Sequence, residues 1–181
     1  MIDGDDLELL ARSIRHAAAS HAGAALDAAL VEVGWRDALA VDPRAAVALH
    51  FEAQGRATTT SSALDQLIVA ACGVEADAVV LPAPGRWTPP LESSGDRWVV
   101  RGIGGGALRA AALRDAARVL VGARDGDGAV ARCVAGSELA AVPVEGIDPD
   151  LGLVTVAGEL RRGHPRAGDW PGAGRPPPPA P

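Results

Sequence analysis

The stretch Leu64-Asp65-Gln66-Leu67-Ile68-Val69-Ala70-Ala71-Cys72-Gly73-Val74-Glu75-Ala76-Asp77-Ala78-Val79-Val80-Leu81 is where the chain changes character. Leu64, Leu67, Ile68 and Ala71 recur at helical spacing, and Gly73 follows as a natural stop. Ala78–Leu81 then forms a short apolar run with the length of a buried strand. On one side of Gly73 the apolar period is that of helices. On the other, short runs are separated by turn residues. The spacing therefore predicts an α+β chain, with helices to about residue 73 and strands to about residue 160.

Upstream, Leu7, Leu10, Ile14, Ala17 and His21 mark a first helix, and Leu26, Ala29, Leu30 and Val33 a second that stops at Gly34. Asp42 followed by Pro43 is a start signal, because proline at the first helical position lacks an N–H that would be orphaned there anyway. That third helix carries Ala46, Val47, His50, Phe51 and Gln54 and is expected to end near Gly55. Ser61 or Ser62 opens the fourth, with Asp65 three residues after Ser62 as a variant of the capping box. Downstream, strands are expected at Ala78–Leu81, Arg97–Arg101, Ala117–Ala123, Ala129–Val134, Ala140–Val144 and Leu153–Ala157. Asp125-Gly126-Asp127-Gly128 between two of them is a hairpin signal, since glycine tolerates the positive φ of tight β-turns. The expected architecture is a four-helix unit over residues 1–74 and a small antiparallel β barrel or sandwich over 75–160. Residues 161–181 hold seven of the 14 prolines and no periodic apolar face, and are expected to be disordered.

Composition narrows the function classes. The 181 residues carry a net charge of −6, and all 17 basic residues are Arg. The arginines are mixed with acids along the chain, and the basic stripe of a nucleic-acid binder is missing. No run of about 20 apolar residues offers a membrane span, and the acidic start Asp3-Gly4-Asp5-Asp6 is unlike a signal peptide. Cys72 and Cys133 are far apart in sequence, as in a cytoplasmic protein with reduced thiols. His16 and His21 stand five apart, out of line for a helical metal pair, and no HExxH, CxxC or GxSxG occurs. The Thr58-Thr59-Thr60-Ser61-Ser62 run is read as a helix-capping loop, because no base stands near to activate a hydroxyl. His50 is read as a partly buried side chain on its helix.

Four segments, in order, resemble a known family. Val31-Glu32-Val33-Gly34-Trp35-Arg36-Asp37-Ala38-Leu39 is similar to the Gly-Trp turn after the second helix of the acyl-CoA dehydrogenases. Phe51-Glu52-Ala53-Gln54-Gly55-Arg56 resembles their Glu-x-x-Gly helix. Asp96-Arg97-Trp98-Val99-Val100-Arg101-Gly102 and Ala116–Arg124 resemble successive strands of their middle domain. The resemblance covers about residues 5–160. It implies a flavoprotein with FAD as cofactor, oxidising an acyl-CoA at Cα–Cβ, and built as a homo-oligomer or paired with a complete homologous subunit. It also implies departures. Where the family has its flavin-contacting stretch this chain reads Leu81-Pro82-Ala83-Pro84-Gly85-Arg86-Trp87-Thr88-Pro89-Pro90, in which only a Thr beside a Pro remains. The third, helical domain that carries the family's carboxylate base has no counterpart here, so the catalytic base is absent. A truncated or degenerate protein, inactive alone, is the expectation; a non-catalytic partner subunit or pseudoenzyme is the alternative.

One further motif competes. Gly102-Ile103-Gly104-Gly105-Gly106-Ala107 follows an apolar strand, precedes an Ala-rich stretch, and has Asp125 some way beyond. A dinucleotide-binding turn needs such glycines so that the backbone can approach a pyrophosphate, then a helix N-terminus, then an acid for the ribose. Against that, Arg101 interrupts the strand, and hairpins follow. A glycine-rich connection between strands is the simpler reading. Gly104, Gly105 and Gly106 are the candidate cofactor-contacting residues on either reading.

Overall fold

In a computed structural model of the chain, residues 2–86, 88–111, 117–125, 128–146 and 151–161 are described. They divide into two compact units, one ending at Ala63 and one beginning at Leu64.

The first unit is helical. Helix α1 (Gly4–Ser20) starts at Asp3, whose carboxylate accepts from the Asp5 N–H at 3.1 Å, and buries Ala11, Ile14, Ala17 and Ala18. Helix α2 (Ala24–Glu32) buries Leu26 and Leu30. Gly34 then takes φ +72°, a left-handed conformation that costs glycine little, and the chain restarts at once as α3 (Trp35–Val41). Asp42 accepts from the Ala45 N–H at 3.2 Å and caps α4 (Pro43–Ala57), as the Asp-Pro signal requires. Five helices thus precede the first strand instead of the expected four. The extra one, α3, is two turns long, too short for its apolar period to register.

The core of this unit is built on Trp35 and His50. Trp35 is fully buried and its indole N–H donates to the Ala46 carbonyl at 3.2 Å. The His50 ring lies 5.2 Å from that indole and 5.1 Å from Phe51. Its Nε2 is 2.9 Å from Gln54 Oε1 and 3.1 Å from Ser61 Oγ, and Ser61 itself donates to Gln54 Oε1. With that oxygen accepting, Nε2 carries the proton. The buried Nδ1 has no partner among the described residues. The Thr58–Ser62 run is a tether: Thr59 Oγ1 donates to the His21 carbonyl, the Gly23 N–H to the Thr60 carbonyl, and the Ser62 N–H to Asp27.

The second unit is one mixed, open sheet with helices α5 (Ala63–Cys72) and α6 (Gly106–Ala111). Its strands are β1 (Ala78–Val80), β2 (Leu91–Ser94), β3 (Arg97–Gly104), β4 (Arg118–Asp125), β5 (Gly128–Ala135), β6 (Ala140–Pro143) and β7 (Val154–Arg161). Strand β4 is the hub. One edge pairs antiparallel with β5, with Asp125 opposite Gly128, as a two-residue hairpin requires. The other edge pairs in parallel with β1, and again in parallel with β2 at Leu91–Ala123. From β2 the sheet continues antiparallel through β3, β7 and β6.

The expected antiparallel barrel or sandwich is therefore corrected to a mixed open sheet. The four prolines of Leu81–Pro90 explain part of this: a segment so rich in proline cannot fold back as a tight hairpin. It hands the chain on to β2, a strand the sequence did not reveal, and β1 is left to pair with β4 much later. The sheet also ends at β6. The Val144 N–H bonds to the Leu153 carbonyl, so by alternation the backbone of residues 141 and 143 faces away from β7. Residue 143 is Pro, and a proline on the outward side of an edge strand offers no N–H to extend the sheet.

Alternation settles the role of Arg101. Along β3, Trp98, Val100, Gly102 and Gly104 face inward while Arg97 and Arg101 are exposed, so Arg101 does not interrupt the core. The inner face gathers Val80, Leu91, Val100, Val119, Val121, Val154 and Leu160. Arg132 stacks its guanidinium 4.6 Å from the centre of the Trp98 ring. On the other face Leu120 packs with Cys72, Val79 and Ala131. Asp65, buried on α5, accepts from the Val79 N–H at 3.3 Å and so ties the helix to β1. No helix among the described residues is long and apolar enough to cross a membrane. Of the expected disordered tail, 161–181, Arg161 instead ends β7, and residues 162–181 lie outside the described residues, as do Trp87 and Asp148-Pro149-Asp150.

His50 makes the helical unit sensitive to acid. Burial lowers its pKa; the Gln54 hydrogen bond and the Asp27 charge pull it back only in part. Below the ordinary histidine value of about 6.5 the unfolded chain takes up a proton that the folded site resists, so stability falls with pH in that window and is flat above it. Urea midpoints followed by the helical circular-dichroism signal should fall as the pH drops below about 6.5, and His50→Leu should flatten that slope. An unchanged slope in the variant would contradict this role.

Candidate functional site

The outer face of β1, β4 and β5 does not close on α5. Between them lies an apolar cleft of about 500 Å³, within the size range of small-molecule sites. Val79, Leu120 and Ala131 make its floor, and Ile68 and Cys72 of α5 one wall. The opposite wall is the proline-rich segment, through Leu81, Pro82, Pro89 and Pro90. The cleft stays open partly because residue 122 is Gly: a Cβ there would meet nothing nearer than the Pro90 ring at 3.8 Å.

Past Arg86, Thr88, Pro89 and Pro90 the cleft adjoins a small recess of about 10 Å³, room for a single water, also bordered by Glu92 and Arg101. Arg86 and Arg101 are exposed, and among the described residues neither has a salt-bridge partner. One end of an apolar cleft is thus basic, in a chain of net charge −6.

Among the described residues, no carboxylate or imidazole lines the cleft itself. Its one titratable thiol, Cys72, is pushed to a higher pKa by burial and further by Cys133 nearby, so it stays protonated and is a poor nucleophile. Among the described residues no cluster of His, Cys, Asp or Glu could hold a metal ion. Among the described residues, the lining holds no group placed to move a proton.

The glycine motif is elsewhere. Gly104 ends β3, Gly105 follows, and Gly106 opens α6, and none of the three lines the cleft. β3 and β4 both pair with β2, one antiparallel and one parallel, so they run in opposite directions. The turn therefore does not open a parallel strand–helix–strand unit, the setting a dinucleotide turn needs. Packing accounts for two of the glycines. A Cβ on Gly104 would collide with the Leu108 side chain, and one on Gly102 with the Leu81 carbonyl and Val80. Gly105 and Gly106 face open space. Sequence reasoning missed the cleft because its walls come from four separate segments. The cluster of prolines after Ala78–Leu81 was the signal that could have marked one of them.

Compared with known proteins, the chain matches no family model and no curated sequence.

The packing role of the glycines is testable. Gly104→Ala should destabilise the second unit by about 1–3 kcal/mol, the usual range for overpacking a core, while Gly105→Ala should change stability little. Combining Gly104→Ala with Leu108→Ala should cost less than the sum of the two single changes, because Leu108 is the group in the way. Thermal denaturation of the four variants measures this; strict additivity would contradict it.

Proposed function

We propose that the chain is an acyl-CoA dehydrogenase-like flavoprotein module that binds its ligand in the cleft of the second unit and is inactive alone. The observation that carries this reading is the place of the cleft. Its wall, Leu81–Pro90, is the segment that stands where the resemblance puts the flavin contacts, and it borders about 500 Å³ of apolar space. Apolar walls suit the flat ring of FAD, and Arg86 and Thr88 are the side chains able to donate at its edge. When bound, a flavin supplies acceptance of a hydride from substrate. This chain's own residues supply enclosure and one cationic end.

Oxidation at Cα–Cβ also needs a base for the Cα proton. Among the described residues the cleft lining has no carboxylate or imidazole, and Cys72 is held protonated. Loss of a positioned general base costs roughly 10²–10⁴-fold in rate. The same lack favours a second reading, a non-catalytic subunit or pseudoenzyme that pairs with a complete homologue.

Purified protein should be yellow, with a visible flavin absorption band. It should nevertheless turn over no acyl-CoA with an artificial electron acceptor. A colourless protein that takes up no added FAD would overturn the flavoprotein reading, and turnover by the chain alone would overturn the claim that it is inactive.

A further inference from the structure

The cleft and its basic end have complementary chemistry along one line. Ile68, Leu120 and Ala131 face an apolar body. Beyond Pro90 the recess sets Arg86 and Arg101 against a single acid, Glu92, in a space the size of one water. A neutral apolar ligand would fill the cleft and leave the recess to solvent. A cation would meet two like charges. An anion with an apolar tail satisfies both ends.

We infer that the cleft takes an amphipathic monoanion of the fatty-carboxylate class. The tail lies on the floor made by Leu120 and Ala131, and one carboxylate oxygen enters the recess bordered by Arg86 and Arg101. Arginine suits that head, because its fork of N–H donors matches a carboxylate. The inference goes beyond the flavoprotein reading and does not rest on it, since it concerns the preference of the cleft, free of any flavin, among small ligands.

Three features follow. Affinity rises with tail length by about fourfold for each added methylene until the cleft is full. The anion is preferred over the alcohol of equal length by three- to tenfold, a modest factor because both arginines are exposed. That preference fades at about 1 M salt, where charges are screened beyond about 3 Å.

Calorimetric titration of the full chain, freed of any bound flavin, with hexanoate, octanoate and decanoate, and with decanol and decyltrimethylammonium, tests it. The expected order is decanoate over decanol over the cation, with affinity climbing along the carboxylate series. Arg86→Gln with Arg101→Gln should bring decanoate down to the level of decanol without changing the thermal midpoint, because both side chains are on the surface. Gly122→Val should abolish binding of every tail: its methyls take up space over the floor, its Cβ meets nothing nearer than Pro90 at 3.8 Å, and Val suits a strand. Equal affinity for decanoate and decanol, binding that survives Gly122→Val in a variant that unfolds at the normal temperature, or no binding at all would overturn the proposal. A colourless protein that takes up no added FAD but binds decanoate refutes the flavoprotein reading alone. A yellow protein that, once stripped of its flavin, binds no carboxylate refutes this one alone.

Discussion

The parallel pairing of β1 with β4 is the constraint on which the second unit depends. Three residues, Ala78–Val80, lie beside Val119–Val121, and β5 covers the other edge of the same strand. β4 is therefore a central strand buried on both faces. Val119 and Val121 look into the main core, and Leu120 looks out to Cys72, Val79 and Ala131. Buried parallel pairing leaves no solvated side, so β4 reads as a near-continuous apolar run. Because β1 is held there, α5 is held too, through the Asp65 bond to the Val79 backbone. Helix, strand and proline-rich exit then frame the cleft together.

How much of this could be read in the sequence differs between the two units. Helix starts and stops were legible where a side chain acts on its own neighbours: Asp42 capping α4, Gly73 with φ +62° after α5, and the turn that sets Asp125 against Gly128. Such signals are local, so the chain carries them openly. What failed was non-local. β2 reads Leu91-Glu92-Ser93-Ser94, with one buried residue and three exposed, so nothing marks it as a strand until β3 and β4 are beside it. The sense of β1 against β4 is fixed by a partner about 40 residues away, and no period or turn residue records it.

The site was less legible still. Gly102–Gly106 stood out because glycine clusters have a known use in holding phosphates. In the fold, Gly102 and Gly104 are small because Leu81, Val80 and Leu108 occupy the space a side chain would need. The residues that frame the cleft are ordinary Val, Leu, Ala and Pro, which carry no signature of their own. Only their assembly from α5, β1, β4, β5 and the segment after β1 gives them a function. Arg86 and Arg101 have the same history, exposed arginines that gain meaning from the apolar space beside them.

Everything proposed for the cleft requires β1 to be a held wall rather than a passing segment. Native-state hydrogen exchange at the backbone amides of Val79, Val80 and Leu120 measures this directly. Amides of a three-residue parallel strand locked between α5 and β4 should be protected to nearly the same degree as those of the β4–β5 ladder. Exchange at Val79 and Val80 as fast as in an unfolded peptide, with β4 still protected, would mean that the wall is not held in place and that the cleft is not a site.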